Sequence, residues 1–348
     1  MSLTPVQSEN RAMRRRPTPL TLLACVAGAL ALTAGACSSS GSDTATGGTA
    51  ADGGSGDKPT IVVTTNILGD VVGELVGDEA EVVTIMPVGA DPHSFSPSAQ
   101  QTNEIRQADA LIVNGAGFEE GLLDVIESAE ADGVPTYEAI SAVEPLDVAD
   151  EHGHAEEGDE HAEGDEHAHE GTDPHFFTDP VRMVAAVEGI SEFLVAEVDG
   201  LDAAAIEANT AAYVGELETL DAELTAAFAT IPAERRVLVT NHEVFGYFAD
   251  RFGFEVVGAV VPSGTTADGA SAADLSALAE VVRAEGVPAI FADTSSSDEL
   301  AQTLAAEVGG DVAVVELFSE SLGEPGSGGA TYLEMMRTNG QRIADALG

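Results

Sequence analysis

The chain of 348 residues has no Trp, four Tyr and two Cys, and 13 basic residues stand against 61 acidic ones. Each scarcity excludes something. Cys25 and Cys37 both fall in or at the end of an N-terminal apolar run, so the chain beyond Cys37 has no disulfide framework, thiolate metal site or cysteine nucleophile. Any metal must be held by His and carboxylates. The formal charge is −48. Removing the first 36 residues would take away four Arg and Glu9, leaving nine basic and 60 acidic residues, or −51. Such a balance argues against nucleic acid or anionic lipid as a partner. It suits a protein that lives among cations, although solubility alone accounts for much surface acidity. Histidine is also scarce, and six of the eight crowd into residues 151–180. Hydrophobic residues at 44% suffice for packed cores, and the length fits one large domain or two of ordinary size.

The N-terminus reads as an export signal. Arg11, Arg14, Arg15 and Arg16 precede an apolar run over residues 20–36, shorter than the roughly 20 residues a spanning helix needs. The run ends LTAGAC-SSS, which resembles a bacterial lipobox with Ala34 in place of the usual Leu. That resemblance implies cleavage before Cys37 and a lipid on Cys37. An ordinary secretory peptide with an incidental Cys is the alternative; the arginines also allow twin-arginine export, and Met13 could serve as the start. Residues 37–58 read as a lipid-anchored Gly/Ser/Thr/Asp/Ala tether. The expected location is extracytoplasmic, anchored to the bacterial cell membrane.

From Pro59 short β-branched runs alternate with helical patterns. Strand candidates at 61–65, 82–87, 110–114 and 136–140 are separated by helical candidates at 67–76, 97–108 and 118–131. Two long helical patterns follow, 180–196 and 202–228; Asp202 is a plausible N-cap of the second. The alternation resumes with strands at 237–240, 255–260, 289–292 and 312–317 and helices at 244–252, 272–284, 297–308 and 330–347. Ser271 and Asp274 have capping-box spacing. β-α-β-α order predicts an α/β fold. Two lobes are expected, each with a roughly four-stranded, mainly parallel sheet, joined by a long rigid helix. The boundaries predicted are 59–180 for the first lobe, 181–231 for the linking helices and 232–348 for the second lobe.

His152, His154, His161, His167 and His169 are embedded in Glu, Asp, Gly and Ala, a composition that cannot bury a core. Residues 150–172 are therefore expected to be a disordered loop, either a low-affinity metal collector or a tolerated insertion. The other three histidines differ. His93 follows the second strand, His242 follows the strand at 237–240, and His175 precedes the helix at 180. Open parallel sheets bind ligands at the carboxyl ends of their strands, and Glu320 sits at the matching end of the last strand. His93, His175, His242 and Glu320 are thus the candidate metal ligands, in a cleft between the lobes. His93 and His175 each lie in an Asp-Pro-His tripeptide, whose Pro fixes the backbone ahead of the ligand. Asp91 and Asp173 read equally well as helix caps.

VGADPHSFSPSAQQ, TDPHFFTDP, VTNHEVFGYFADRFGF and LFSESLGEPGSGGATYLEMMRTN resemble, in order, the signature segments of the cluster A-I (cluster 9) metal-binding lipoproteins of zinc and manganese ABC importers. The resemblance covers 59–348. It implies two α/β lobes bridged by a long helix, with metal ligands at His93, His175, His242 and Glu320. The family's usual Asp at the last position is Glu here, so direct ligation by Glu320 and ligation through water both stay open. His at 242 and a His-rich loop imply the zinc branch, with manganese the alternative. The partners implied are an ABC permease and its ATPase, with the receptor a monomer; an adhesin role is compatible. A zinc hydrolase with Glu243 as base is disfavoured: there is no HExxH, no Gly-x-Ser-x-Gly and no cysteine nucleophile.

Overall fold

The computed structural model describes residues 58–146, 171–310 and 312–348. β1 (Thr60–Val63), β2 (Glu81–Thr84), β3 (Ala110–Val113) and β4 (Thr136–Glu138) form one parallel sheet in the order β2-β1-β3-β4. The apolar runs of β1 and β3 are almost wholly buried, as inner strands covered on both faces must be. α1 (Asn66–Val76), α2 (Ala99–Arg106) and α3 (Leu123–Ala131) lie in the connections between these strands.

The strands stop sooner than their β-branched runs suggest. Thr65 leaves the sheet to cap α1, accepting the Leu68 N–H at 3.3 Å. After β3, Gly115, Ala116 and Gly117 all take positive φ, 88°, 52° and 75°. The helix expected from 118 therefore starts as a 3-10 turn, Glu120–Leu122, and becomes α-helical at Leu123. The cause is Glu119. Its buried carboxylate folds back to accept from Asn114 N and Thr64 Oγ1, each at 2.6 Å, and from Gly115 N at 3.4 Å. Burial pushes the Glu119 carboxyl above its ordinary pKa, and these donors oppose the shift.

α4 (Pro180–Glu197) and α5 (Ala203–Phe228) follow. Asp202 caps α5 by accepting from Ala204 N and Ala205 N. At 26 residues, α5 is about 39 Å long. Its buried residues Ile206, Thr210, Tyr213, Leu217, Leu220, Leu224 and Phe228 recur every three or four positions, which makes one continuous stripe. α1, α4 and α9 (below) pack against this helix. The resulting core runs without a break from Ile61 and Val71 through Ile190 and Leu217 to Phe291 and Met335. The linking helix is thus built into a core shared by both lobes.

β5 (Val237–Thr240), β6 (Glu255–Ala259), β7 (Ala289–Asp293) and β8 (Ala313–Leu317) build the second lobe with α6 (Gly246–Phe252), α7 (Ala272–Glu285), α8 (Glu299–Val308) and α9 (Tyr332–Leu347). The four strands form two parallel ladders, β5–β6 and β7–β8, with β5 packed beside β7. A register shift at Leu238/Val239 interrupts the first ladder. The Ser271–Asp274 capping box is present at α7. No helix among the described residues is long and apolar enough to cross a membrane.

Asp70 ties α1 to α9 by accepting the Tyr332 N–H at 2.8 Å. Burial raises its pKa to about 6, partly offset by the Tyr332 N–H and reinforced by Glu74 and Glu334. A carboxyl whose folded pKa exceeds the unfolded value, about 3.9, contributes stability below that value and loses it as pH rises through about 6. Asp70→Asn is expected to raise Tm at pH 8 and leave it unchanged at pH 4. An equal change at both pH values would contradict the burial argument.

Candidate metal centre

Both Asp-Pro-His tripeptides fold the same way. Pro has no N–H, so the Asp carboxylate reaches past it to the His amide, an Asx turn. Asp91 Oδ1 accepts from His93 N at 3.0 Å, and Asp173 Oδ1 accepts from His175 N at 2.9 Å. The two aspartates thus shape the turns that present the histidines and do not cap helices. Asp173 Oδ1 also accepts a hydrogen bond from His175 Nδ1 at 2.7 Å. That bond fixes the ring and turns Nε2 inward. Thr178 Oγ1 donates to His175 O, and Asn114 Nδ2 donates to Pro174 O, both at 2.9 Å.

His93 enters from the β2–α2 connection, His242 lies just beyond β5, and Glu320 lies just beyond β8. Thr240 Oγ1 donates to His242 O at 2.7 Å. The Glu320 segment is gripped from two sides. Asn339 of α9 accepts from Phe318 N at 3.0 Å and donates to Phe318 O at 2.7 Å. Asn66 of α1, in the other lobe, donates to Ser321 Oγ at 2.9 Å and accepts from Leu322 N at 2.7 Å. Gly89 N donates to the same Ser321 hydroxyl at 2.7 Å. Thr266 Oγ1 also donates across the lobes, to Asp91 Oδ2 at 2.6 Å.

These supports bring the four side chains together. Glu320 Oε1 lies 2.7 Å from His93 Nε2, 3.0 Å from His242 Nε2 and 3.4 Å from His175 Nε2. One potential donor atom from each of the four residues lies within 4.8 Å of all the others, and all four residues are buried. The three imidazoles stand edge to face, with centroids 5.3–5.7 Å apart. Phe118 packs on His93 and His175 at 5.2 and 5.5 Å. Cys37 and the loop histidines His152, His154, His161, His167 and His169 lie outside the described residues.

Burial opposes ionisation of Glu320, yet the imidazoles of His242, His175 and His93 hold its carboxyl well below the ordinary range. Burial also works against a charged His175, but Asp173 and Glu320 push it up to about 9. Among the described residues, His175 Nε2, His242 Nδ1 and Glu320 Oε2 are buried polar atoms with no hydrogen-bond partner. Such atoms cost roughly 1–3 kcal/mol each. Imidazole nitrogens and a carboxylate oxygen are donors that fit a divalent transition metal.

Strand-end reasoning overlooked Asp293, the last residue of β7. It is buried, and Ser295 donates to it through N and Oγ at 2.9 and 2.5 Å. Burial and the Glu320 charge raise its pKa to about 6. The rule that selected Glu320 also selects Asp293. Asn66, Glu119 and Glu120 (whose Oε1 lies 3.2 Å from His93 Nδ1) carried no comparable signal.

Residues 61–346 match the profile of the zinc-uptake complex component A family, periplasmic (ZnuA). The chain belongs to this family. It is accordingly a metal-binding receptor of the ABC-importer class, not an enzyme. The manganese-binding lipoprotein MntA of Halalkalibacterium halodurans is 30% identical over 283 residues, 80% of this chain and 85% of that protein. The metal ABC transporter substrate-binding lipoprotein ScbA of Streptococcus cristatus is 29% identical over 316 residues, 90% and 94% of the two chains. Among solved structures, the periplasmic zinc-binding protein TroA from Treponema pallidum aligns with a TM-score of 0.73 at 28% identity, over 84% of this chain and 99% of that one. The cadmium-bound periplasmic metal-binding protein of Candidatus Liberibacter asiaticus shares the fold, with a TM-score of 0.70 at 22% identity over 84% and 100% of the two chains.

The Asp173 carboxylate favours the charged His175 ring, so Asp173→Asn is expected to bring the His175 pKa down from about 9 toward the ordinary value near 6.5 or below it. NMR titration of the imidazole in the metal-free protein reads this directly. An unmoved pKa would assign the upward shift to Glu320 alone.

Proposed function

We propose that this chain captures one zinc ion outside the cytoplasm and hands it to the permease of an ABC importer. His93, His175 and His242 supply three imidazole nitrogens and Glu320 a carboxylate oxygen. The observation that carries the reading is the convergence of these four buried side chains within 4.8 Å. Three nitrogens and one oxygen suit zinc, whereas manganese favours a more oxygen-rich shell. The lipid on Cys37 and the tether of residues 37–58 would hold the receptor, as a monomer, at the outer face of the cell membrane. The loop histidines would collect zinc weakly; deleting residues 151–171 is expected to lower zinc stoichiometry without changing the affinity of the tightest site.

Manganese is the second reading. It is favoured by relatives named for that metal, among them MntA and the PsaA lipoprotein of Streptococcus anginosus, the latter 29% identical over 297 residues. Metal analysis of the chain recovered from cells without chelator separates the two, because zinc outcompetes manganese at most nitrogen and oxygen sites in vitro. Manganese as the recovered metal would overturn the zinc assignment while leaving the receptor reading intact.

His93→Ala, His175→Ala and His242→Ala are each expected to weaken zinc binding at least about tenfold, since each deletes a ligand. Chelator competition measures this, and unchanged affinity in any variant removes that residue from the site. Metal must also displace the proton that Asp173 and Glu320 hold on His175 up to about pH 9. Apparent affinity should therefore climb as pH rises from 6 to 9. Calorimetry in buffers of different ionisation enthalpy should detect proton release at pH 7; none would contradict the ligand set.

A further inference from the structure

Tyr247 is fully buried in α6, the helix that follows His242. Its hydroxyl donates to Asp173 O at 2.9 Å and accepts from Leu146 N at 3.0 Å. Asp173 N donates in turn to Leu146 O at 2.8 Å. These bonds close the neck between Leu146, where the chain departs, and Asp173, where it returns to enter the second Asp-Pro-His turn. Gly246, the first residue of α6, lies so close that a Cβ there would sit 2.5 Å from Asp173 Oδ2. Thus α6 meets Asp173 at both its carbonyl and its carboxylate, and the same carboxylate receives His175 N and Nδ1.

Building on the receptor reading above, we infer that Tyr247, with Gly246 beside it, is a positioning residue for metal capture. Tyr247 seats Asp173 so that the His175 ring is held with Nε2 facing Glu320. The first lobe already holds this turn through Asn114 and Pro174 O. Tyr247 adds a hold from the second lobe, on the same stretch of chain as His242. The placement of His175 therefore depends on the lobe that carries two of the other three candidate ligands.

Tyr247→Phe separates positioning from packing. It keeps the ring, over which the Arg182 guanidinium sits at 4.8 Å, and removes only the hydroxyl. In the full chain, Tyr247→Phe is expected to bind zinc about tenfold more weakly by chelator competition, the lower end of what outer-shell changes cost. Asp173→Asn sets the scale for losing the carboxylate itself. The readout that packing alone would not move is the His175 Nδ1–H resonance of the metal-free protein. It should shift in Tyr247→Phe and in Gly246→Ala, where the added methyl pushes on Asp173 from the other side. An unchanged resonance together with wild-type zinc affinity, even at a lowered Tm, would overturn the inference. Should Tyr247→Phe fail to fold, Gly246→Ala carries the same test. If the wild-type chain binds neither zinc nor manganese, the receptor reading fails, and the resonance shift still decides whether Tyr247 positions His175.

Discussion

One carboxylate oxygen, Glu320 Oε1, lies within 3.4 Å of three imidazole nitrogens, and all four side chains are shut away from water. Dehydrating a charge costs several kcal/mol unless opposite charge and hydrogen bonds offset it. Much of the chain's polar architecture is an answer to that cost. Asp173 and Glu120 each face the outer nitrogen of one histidine. Asn66, Ser321 and Asn339 hold the backbone on either side of Glu320. Phe118 screens His93 and His175, and a dry wall of this kind strengthens every electrostatic contact inside it.

The fold explains how residues so far apart in sequence reach one point. Parallel strands end on one edge of each sheet, and the connections after β2, β5 and β8 carry His93, His242 and Glu320 there. His175 arrives by another route, from the turn ahead of α4. A core that runs unbroken along α5 fixes the two edges relative to one another. Hydrogen bonds between the lobes, among them Asn66 to Ser321, Thr266 to Asp91, Asp70 to Tyr332 and Asp173 to Tyr247, join them as well.

Much of this was legible in the sequence. Hydrophobic period and caps located the α-helices and strands, most of them to within two or three residues, Asp202 and the Ser271–Asp274 box included; the helix expected from 118 begins as a 3-10 turn. The repeated Asp-Pro-His tripeptide pointed to His93 and His175, and the structure brings both together with His242 and Glu320. What stayed hidden depends on contacts between distant segments. The Glu119 carboxylate reshapes the turn after β3 by reaching back to Thr64, and no local pattern announces that. Asn66 sits between the expected strand and helix with no signal of its own, yet it binds a segment more than 250 positions away. Tyr247 is core, and nothing local shows that its hydroxyl bonds Asp173 and Leu146, 74 and 101 positions away. β5 to β8 form two parallel ladders where one roughly four-stranded sheet was expected, and periodicity does not reveal which strands pair. The most conspicuous histidines, those at 152–169, lie outside the described residues; the four described side chains that converge include the three quieter ones.

The most direct measurement is X-ray absorption at the zinc edge on the full chain loaded with one equivalent of zinc. Three imidazole nitrogens at about 2.0–2.1 Å and carboxylate oxygen at about 2.0–2.2 Å are the expected first shell, with the imidazole signal reduced by one in His175→Ala. An unaltered spectrum in His175→Ala, or a shell made mostly of oxygen, would contradict capture by His93, His175, His242 and Glu320.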